Sequence, residues 1–446
     1  MKSTSKFIVF LSIFMIIALI VGCSGGEEEV DSGDSEETAG ANDSTGTSGD
    51  TEESQTVNLL AHSNYEVGLN AVIEAFENEN PNIEVNLELA PFNELMETIE
   101  IRLSAQSSDI DLLFVDAPLV ANYTLKGYLE PLDELLGSSA KENWVTSAVE
   151  TVTYNDEIMA APMNNSSQVL FYNKRLFEEN DIPFPGEEER LTWEEITDIA
   201  KQLTDRDEGV YGFTFDRLDR AYQLLPLADS LGASMLSEDG LTSKGYTNSS
   251  EAVEAFTFYY NLFNEWGISP RINEEESIDY FTSERVAMFL GLSHGLPRLL
   301  DSNVDFGVTL HPYFEGGEVA TPTGSWSIGI SKFSENKDPS AKFLEYLTLG
   351  DGADVMFEEG ATLPVHVDLI NEINDDPMYD EFPNNVLRMA ARESEETASP
   401  RPLTPGYLEW DTNMNRALQD IKNGTDPQVA LDSIVDVIDN LLIRYE

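Results

Sequence analysis

Cysteine is almost absent. Cys23 stands alone in 446 residues, so no disulfide can form within the chain even in an oxidising exterior. Cations are scarce, with 25 Lys and Arg against 83 Asp and Glu and a formal charge of -58, which excludes nucleic acid as a partner. The four histidines, His62, His294, His311 and His366, are scattered, whereas zinc chemistry wants clustered His or Cys. There is no Gly-x-Ser-x-Gly elbow, no Gly-rich phosphate loop and no Asp-x-Asp-x-Asp-Gly calcium loop. Paired carboxylates could run glycoside hydrolysis, but among 83 acids any spacing can be found and none is distinguished. These absences argue against an enzyme and against a resident metal or cofactor.

Long apolar runs are missing too, except at the start. Lys2 and Lys6 precede an apolar run from Phe7 to Val21 broken only by Ser12. That run falls short of the roughly 20 residues a membrane-spanning helix needs. Basic residues, an apolar stretch and a small residue before Cys23 make a secretory leader over 1–23. Ile20-Val21-Gly22-Cys23 resembles the bacterial lipobox, whose cysteine is diacylated and becomes the new N-terminus. Two acyl chains would anchor the protein stably where one would be marginal. No twin arginine precedes the run, so the general secretory route is expected. An uncleaved anchor with an incidental cysteine is the alternative. Residues 24–55 carry eleven acids, no Lys or Arg and no aromatic, with Val30, Ala39 and Ala41 as the only apolar side chains. Such a segment cannot bury enough surface to offset its ordering entropy and reads as a disordered acidic tether.

The remaining body, from 56 to 446, is too long for one compact core and fits two lobes. Val57 to Ala61 reads as a buried strand. Leu69, Val72, Ile73 and Phe76 then recur at helical spacing until Asn80-Pro81 stops them. Ile83, Val85, Leu87 and Leu89 alternate with polar residues as a half-buried strand. Leu95, Ile99 and Leu103 mark a second helix, and Ile110 to Val115 a third strand. This order predicts an open α/β sheet with largely parallel pairing. Ligands of such sheets lie beyond the carboxyl ends of the strands, which singles out His62, Ser63, Asn64 and Tyr65 after the first strand and Asp116 after the third. Trp193, capped by Thr192, is expected to pack. Trp266 closes a helix whose predicted buried stripe is Val253, Phe256, Tyr260 and Phe263.

Five segments then match a family in order. They are Phe76-Glu77-Asn78-Glu79-Asn80-Pro81-Asn82-Ile83-Glu84-Val85; Gly127-Tyr128-Leu129-Glu130-Pro131-Leu132; Phe171-Tyr172-Asn173-Lys174-Arg175-Leu176-Phe177 followed by Thr192-Trp193-Glu194-Glu195; Phe281 with Ala287-Met288; and Gly307-Val308 with Pro312. On these the chain resembles the extracellular solute-binding proteins of ABC importers, family 1, the maltose-binding-protein-like group. The resemblance implies a type II periplasmic-binding-protein fold: two hinge-linked α/β lobes closing on one solute in the cleft between them. By that likeness the first lobe covers 57–161 plus 310–372 and the second 162–309 plus 373–446. It also implies a sugar as solute, an ABC permease as membrane partner, and a monomer.

Sugars present hydroxyls around a flat apolar face, so their sites pair aromatic platforms with carboxylates, amides and arginine. Asn64, Tyr65 and Asp116 qualify by position at strand ends. The resemblance maps the hinge approach onto Asn164, Asn165 and Gln168, although the two asparagines fit a turn as well. It puts Trp326, Tyr407 and Trp410 where relatives carry cleft aromatics, with a core role as the alternative. Where relatives often show glycine then tryptophan, this chain has Gly291-Leu292-Ser293-His294-Gly295. His294 could replace the missing platform, or be an exposed loop histidine. Arg217 is a candidate to hold a carboxylate or a hydroxyl pair. Other solutes, a polyamine, an osmolyte or a metal chelate, remain open, as does a receptor feeding a sensor instead of a permease.

The acidic excess reads as a solvated surface suited to a saline exterior, because the Debye length shrinks from about 10 Å at 0.1 M to about 3 Å at 1 M salt. Thermal melting should therefore rise from low to molar sodium chloride. An unchanged midpoint in a salt series would count against this reading.

Overall fold

The computed structural model describes residues 54–137, 139–187, 189–273, 276–360 and 362–445. The leader, Cys23 and all but the last two residues of the tether lie outside them. Among the described residues no helix is long and apolar enough to cross a membrane.

Fourteen strands are described: β1 (Gln55–His62), β2 (Ile83–Ala90), β3 (Leu112–Asp116), β4 (Thr153–Tyr154), β5 (Glu157–Ile158), β6 (Ala161–Asn165), β7 (Gln168–Asn173), β8 (Tyr211–Phe215), β9 (Val286–Leu292), β10 (Phe306–Thr309), β11 (Thr321–Pro322), β12 (Trp326–Ile330), β13 (Leu363–Pro364) and β14 (Ala398–Ser399). Two sheets dominate. The first runs β13-β6-β12-β3-β1-β2 and the second β10-β7-β9-β8.

The opening passage folds as its periodicity requires. The helix Glu66–Glu79 buries Leu69, Val72, Ile73 and Phe76 and ends before Pro81. The helix Phe92–Ser104 lays Leu95, Ile99 and Leu103 on the core. As expected, β1 pairs in parallel with β2 and β3. The expectation of largely parallel pairing fails beyond these strands. β12, β6 and β13 join antiparallel, and in the second sheet only β8–β9 is parallel. Local periodicity reports a strand but not its distant neighbour, and these partners arrive from far along the chain.

Helix Trp193–Leu203 starts on a capping box between Thr192 and Glu195, and Trp193 is fully buried. In helix Ser250–Asn264 the buried face is Ala252, Ala255, Phe256, Phe258, Tyr259, Leu262 and Phe263. Val253 and Tyr260, expected on that stripe, are only partly buried. The face is wider than a single i, i+3, i+4 stripe because the C-terminal helices Tyr407–Lys422 and Pro427–Leu442 pack on the same helix.

The chain passes between the sheets side by side. β6 and β7 are joined by Ser166 and Ser167, and Ser167 bridges Thr323 just ahead of β12. β11 in turn pairs in parallel with β14. Glu393, whose side chain has no exposed surface, holds these crossings together. Its carboxylate accepts from Arg190 (2.9 Å), the His311 amide (3.1 Å), Thr321 Oγ1 (2.9 Å) and Thr397 Oγ1 (2.5 Å).

Asp229 also touches a crossing strand, accepting from the Ser399 hydroxyl. Burial pushes its carboxyl up to about 7, against a smaller opposing pull from that hydrogen bond. The unfolded carboxyl titrates near 4, so the folded state binds more protons between about pH 4 and 7 and loses stability as pH rises through that window. Asp229→Asn should therefore gain on the native chain by on the order of a few kcal/mol at pH 8, with the difference vanishing near pH 3. Melting curves of both proteins across that range check this, and parallel pH profiles would refute it.

Candidate functional site

The carboxyl ends of β1 and β3 and the start of β12 share one edge, because β12 runs antiparallel to β3 and sets Trp326 opposite Asp116. There Trp326 stands half-buried among rings. His62 lies 5.3 Å away between ring centres, Phe114 5.7 Å, Phe92 5.9 Å and Tyr65 6.3 Å. Phe92 opens the helix that follows β2. The result is an aromatic wall with partly exposed faces from His62, Phe92, Tyr65 and Trp326.

Asn164 braces that wall. It sits in β6, buried, donating through Nδ2 to the Tyr65 hydroxyl (2.9 Å) and accepting at Oδ1 from the Trp326 amide (3.0 Å). Burial, opposed by the Asn164 hydrogen bond, leaves the Tyr65 hydroxyl far harder to ionise than usual. The turn alternative for Asn164 and Asn165 is thereby corrected, since both belong to a strand. Asn165 is buried and spends its Oδ1 on the Ser166 amide (2.8 Å). Gln168 has no exposed surface and hydrogen-bonds Gln223 within the crossing region. Asn64 is exposed, and its amide donates to His62 Nδ1 (3.0 Å).

Asp116 does not stand free. Arg401, from Ser399-Pro400-Arg401-Pro402, grips it with both guanidinium nitrogens, at 2.9 and 2.5 Å. The guanidinium also lies over the rings of Tyr222 (5.1 Å) and Tyr407 (5.7 Å). Burial pushes the Tyr222 hydroxyl up to about 12 against the opposing effects of its Ser166 hydrogen bond and the Arg401 charge. It shares a hydrogen bond of 3.3 Å with Ser166 Oγ on the first crossing. Tyr407 is buried and donates to Asp411 Oδ1 (3.4 Å), so it forms the back of this pair rather than an open platform.

Trp410 is the clear correction. It has no exposed surface, and its Nε1 donates to Thr247 Oγ1 (3.3 Å) inside the core, leaving no face for a solute. It shares the buried face of helix Tyr407–Lys422 with Met414 and Leu418, and that helix packs on the helix Ser250–Asn264.

From the second sheet, Arg217 stands exposed two residues past β8, at φ 43°, and His294 is exposed in the turn after β9. β8 and β9 are parallel, so both residues lie at one edge. Desolvation first, and then the Arg217 charge, lower the His294 ring to about 4. The same two causes lower His62, with Asp116 opposing. Tyr222, seven residues past β8, shares its hydrogen bond with Ser166, and Arg401 lies over its ring while gripping Asp116, so the segment after β8 reaches the edge of the first sheet. Asp216, beside Arg217, is pushed up to about 6 by burial, against Arg217 and a Ser277 hydrogen bond. No group of three or more His, Cys, Asp or Glu side chains is gathered for a metal among the described residues.

The structure therefore gathers Tyr65, Asp116, Asn164 and Trp326 at the edge of the first sheet, sets Arg217 and His294 at one edge of the second, and leaves Asn165, Gln168 and Trp410 packed. Sequence reasoning missed Arg401, Tyr222 and Phe92. Phe92 was within reach of the strand-end rule, since it follows β2 as Tyr65 follows β1. Arg401 carried only the signal of a cation between two prolines.

A profile of bacterial extracellular solute-binding proteins matches residues 62–372. The galactooligosaccharide-binding protein of Bacillus subtilis (strain 168) is 22% identical over 382 residues, 83% of this chain and 85% of that one. An ABC substrate-binding protein from Listeria monocytogenes in complex with cycloalternan superposes with a TM-score of 0.77 at 22% identity, covering 87% of this chain and 99% of that one. A solute-binding protein of an ABC transporter from Thermotoga lettingae bound to alpha-D-tagatose gives 0.74 at 24% identity, covering 87% and 100%. Those two structures share its fold, two α/β lobes with the cleft between them, and because the profile spans well over half its length, the chain belongs to the bacterial extracellular solute-binding proteins.

Proposed function

We propose that the chain is the lipid-anchored, extracellular receptor of an ABC importer, and that it captures a mono- or oligosaccharide by lobe closure and hands it to a membrane permease as a monomer. The observation that carries the reading is the Trp326 wall, with aromatic faces on one lobe and the Asp116–Arg401 pair, Arg217 and His294 around the gap. Flat apolar faces ringed by fixed polar groups suit a pyranose better than a polyamine, which would want carboxylates unmatched by arginine. Relatives named for a galactooligosaccharide, cycloalternan and tagatose support the same class.

In this reading the lobes are 57–161 plus 310–372 and 162–309 plus 373–446, except that β6 keeps 162–165 with the first sheet and moves the first crossing to Ser166–Ser167. Closure needs no covalent chemistry. A solute that touches both lobes binds the closed form better, and that difference supplies the whole shift. The Ile20–Cys23 motif and the acidic segment behind it support anchoring outside the cell on a tether, by the general secretory route.

Two experiments test the reading. Purified protein screened against saccharides, amines and osmolytes should melt higher with some saccharide. A saccharide panel without effect beside a clear shift from an amine or osmolyte would reverse the assignment. That saccharide should also perturb tryptophan emission. Trp326→Ala should abolish that response and weaken affinity about tenfold or more, while Trp410→Phe should lower the melting point with the response intact. A Trp326→Ala protein that binds and responds like the native one would remove the wall from the site.

A further inference from the structure

The segment Pro400-Arg401-Pro402-Leu403-Thr404-Pro405 runs from β14 towards the helix Tyr407–Lys422, and its three prolines leave it little conformational freedom. Its far end belongs with the second sheet, because that helix packs on the helices Ala221–Ser230 and Ser250–Asn264, which follow β8. Its side contacts belong to the first. Arg401 grips Asp116 at the end of β3 through both guanidinium nitrogens, and the two side chains keep only 10% and 12% of their surface exposed. Asn122, in the helix Val120–Leu125 that follows β3, donates through Nδ2 to the Pro405 carbonyl (2.5 Å) and to the Tyr445 hydroxyl (3.3 Å). The strap is thereby pinned to the first lobe near both of its ends.

Tyr222 ties the same point to the second lobe. Its ring lies under the Arg401 guanidinium, and its hydroxyl meets Ser166 Oγ (3.3 Å), which in turn donates to the Gly324 carbonyl (3.0 Å) ahead of β12. The fit is close, since a Cβ on Gly324 would lie 2.5 Å from the Tyr222 hydroxyl. Arg401 therefore holds a carboxylate of one lobe and packs on Tyr222 and Tyr407 of the other at once. The β11–β14 and Ser167–Thr323 contacts join segments that are themselves crossings, whereas this strap joins a strand end of one lobe to helices of the other. Moving the lobes apart at this edge would part a bidentate pair that is nearly out of water, where parting costs far more than it does at a surface. Every one of these contacts lies within the chain itself.

We propose that Arg401 is a positioning residue for capture: it clasps Asp116 across the two lobes before any solute arrives, and so sets how much of the free protein rests in the arrangement a solute needs. This rests on the two-lobe reading above and goes beyond it. The solute still supplies the whole shift, and the clasp sets where that shift begins, because apparent affinity scales with the fraction already competent.

Small-angle X-ray scattering of the free, purified full-length chain reads the clasp without any solute. Arg401→Gln and Asp116→Asn should each raise the radius of gyration, and the double variant should expand no further than either single one. Arg401→Lys, which keeps the charge without the fork, should fall between native and Arg401→Gln. Asn122→Ala, removing the second pin, should shift the radius the same way. A saccharide found in the melting screen should return Arg401→Gln to the native radius, with affinity lowered about tenfold where the clasped fraction falls tenfold. Melting curves report folding, and should Arg401→Gln not fold, Arg401→Lys and Asn122→Ala decide by the same measurement. Folded variants with the native radius would overturn the clasp, and faster hydrogen exchange confined to 400–406 beside that radius would do so too, since it marks a pin for the strap alone. A radius that a bound solute alters but the variants do not sinks the clasp and leaves the two-lobe reading standing. A radius that neither alters sinks both.

Discussion

One carboxylate with no path to water sets the terms for this fold. Glu393 lies where the chain crosses between two sheets, and its oxygens accept from Arg190, the His311 amide, Thr321 and Thr397. A buried charge is tolerated only when its lone pairs are filled and a cation is near; removing a partner from such a pair typically costs about 3–5 kcal/mol. Arg190, His311 and Thr321 come from far along the chain, and only Thr397 is a near neighbour, so the requirement ties distant parts of the sequence to one spot. Thr321 and Thr397 flank the two-stranded β11–β14 ladder, and Ser167 meets Thr323 beside it. The crossings at β11–β14 and Ser167–Thr323 are thereby adjacent.

What the crossings position is a pair of edges. At the carboxyl ends of the strands lie Tyr65 and Asp116 in the first sheet and Arg217 and His294 in the second. The wall of the first lobe is stiff because Asn164 locks Tyr65 and the Trp326 backbone at once. Rings held this way lose little freedom when a solute arrives, so more of the contact energy remains for binding. The Asp116–Arg401 pair serves a second purpose, since it neutralises a carboxylate that would otherwise face the gap alone, while Tyr222 and Tyr407 sandwich the guanidinium.

Much of this was legible in the sequence, and what was not has physical reasons. The first three strands and two helices followed from periodicity because each is a local, one-sided burial problem. The strand-end rule then found Tyr65 and Asp116 without a partner in view. It could not find Arg401, which reaches Asp116 across 285 residues from an irregular segment with no period to read. The antiparallel strands of both sheets escaped for the same cause. Trp410 misled because two of its signals, an aromatic three residues after another and a position before the final helices, suit a cleft or a core alike. Only packing against Met414 and Leu418, with Thr247 taking its N–H, tells them apart.

The charge imbalance and the cleft belong to one economy of cations. With 25 basic residues against 83 acidic ones, most carboxylates cannot be paired and must stay hydrated at the surface. A carboxylate can leave water only where a cation or several donors meet it, and although most ion pairs lie on the surface, three cations meet an acid drawn inward. Arg190 meets Glu393, Lys422 meets Asp219 with both side chains nearly buried, and Arg401 meets Asp116. Each lies at a crossing, between helices or beside the gap, where a stripped anion would otherwise be most costly. Arg217 fits no such pattern. It stands exposed at the end of β8, where its charge opposes the effect of burial on the neighbouring Asp216.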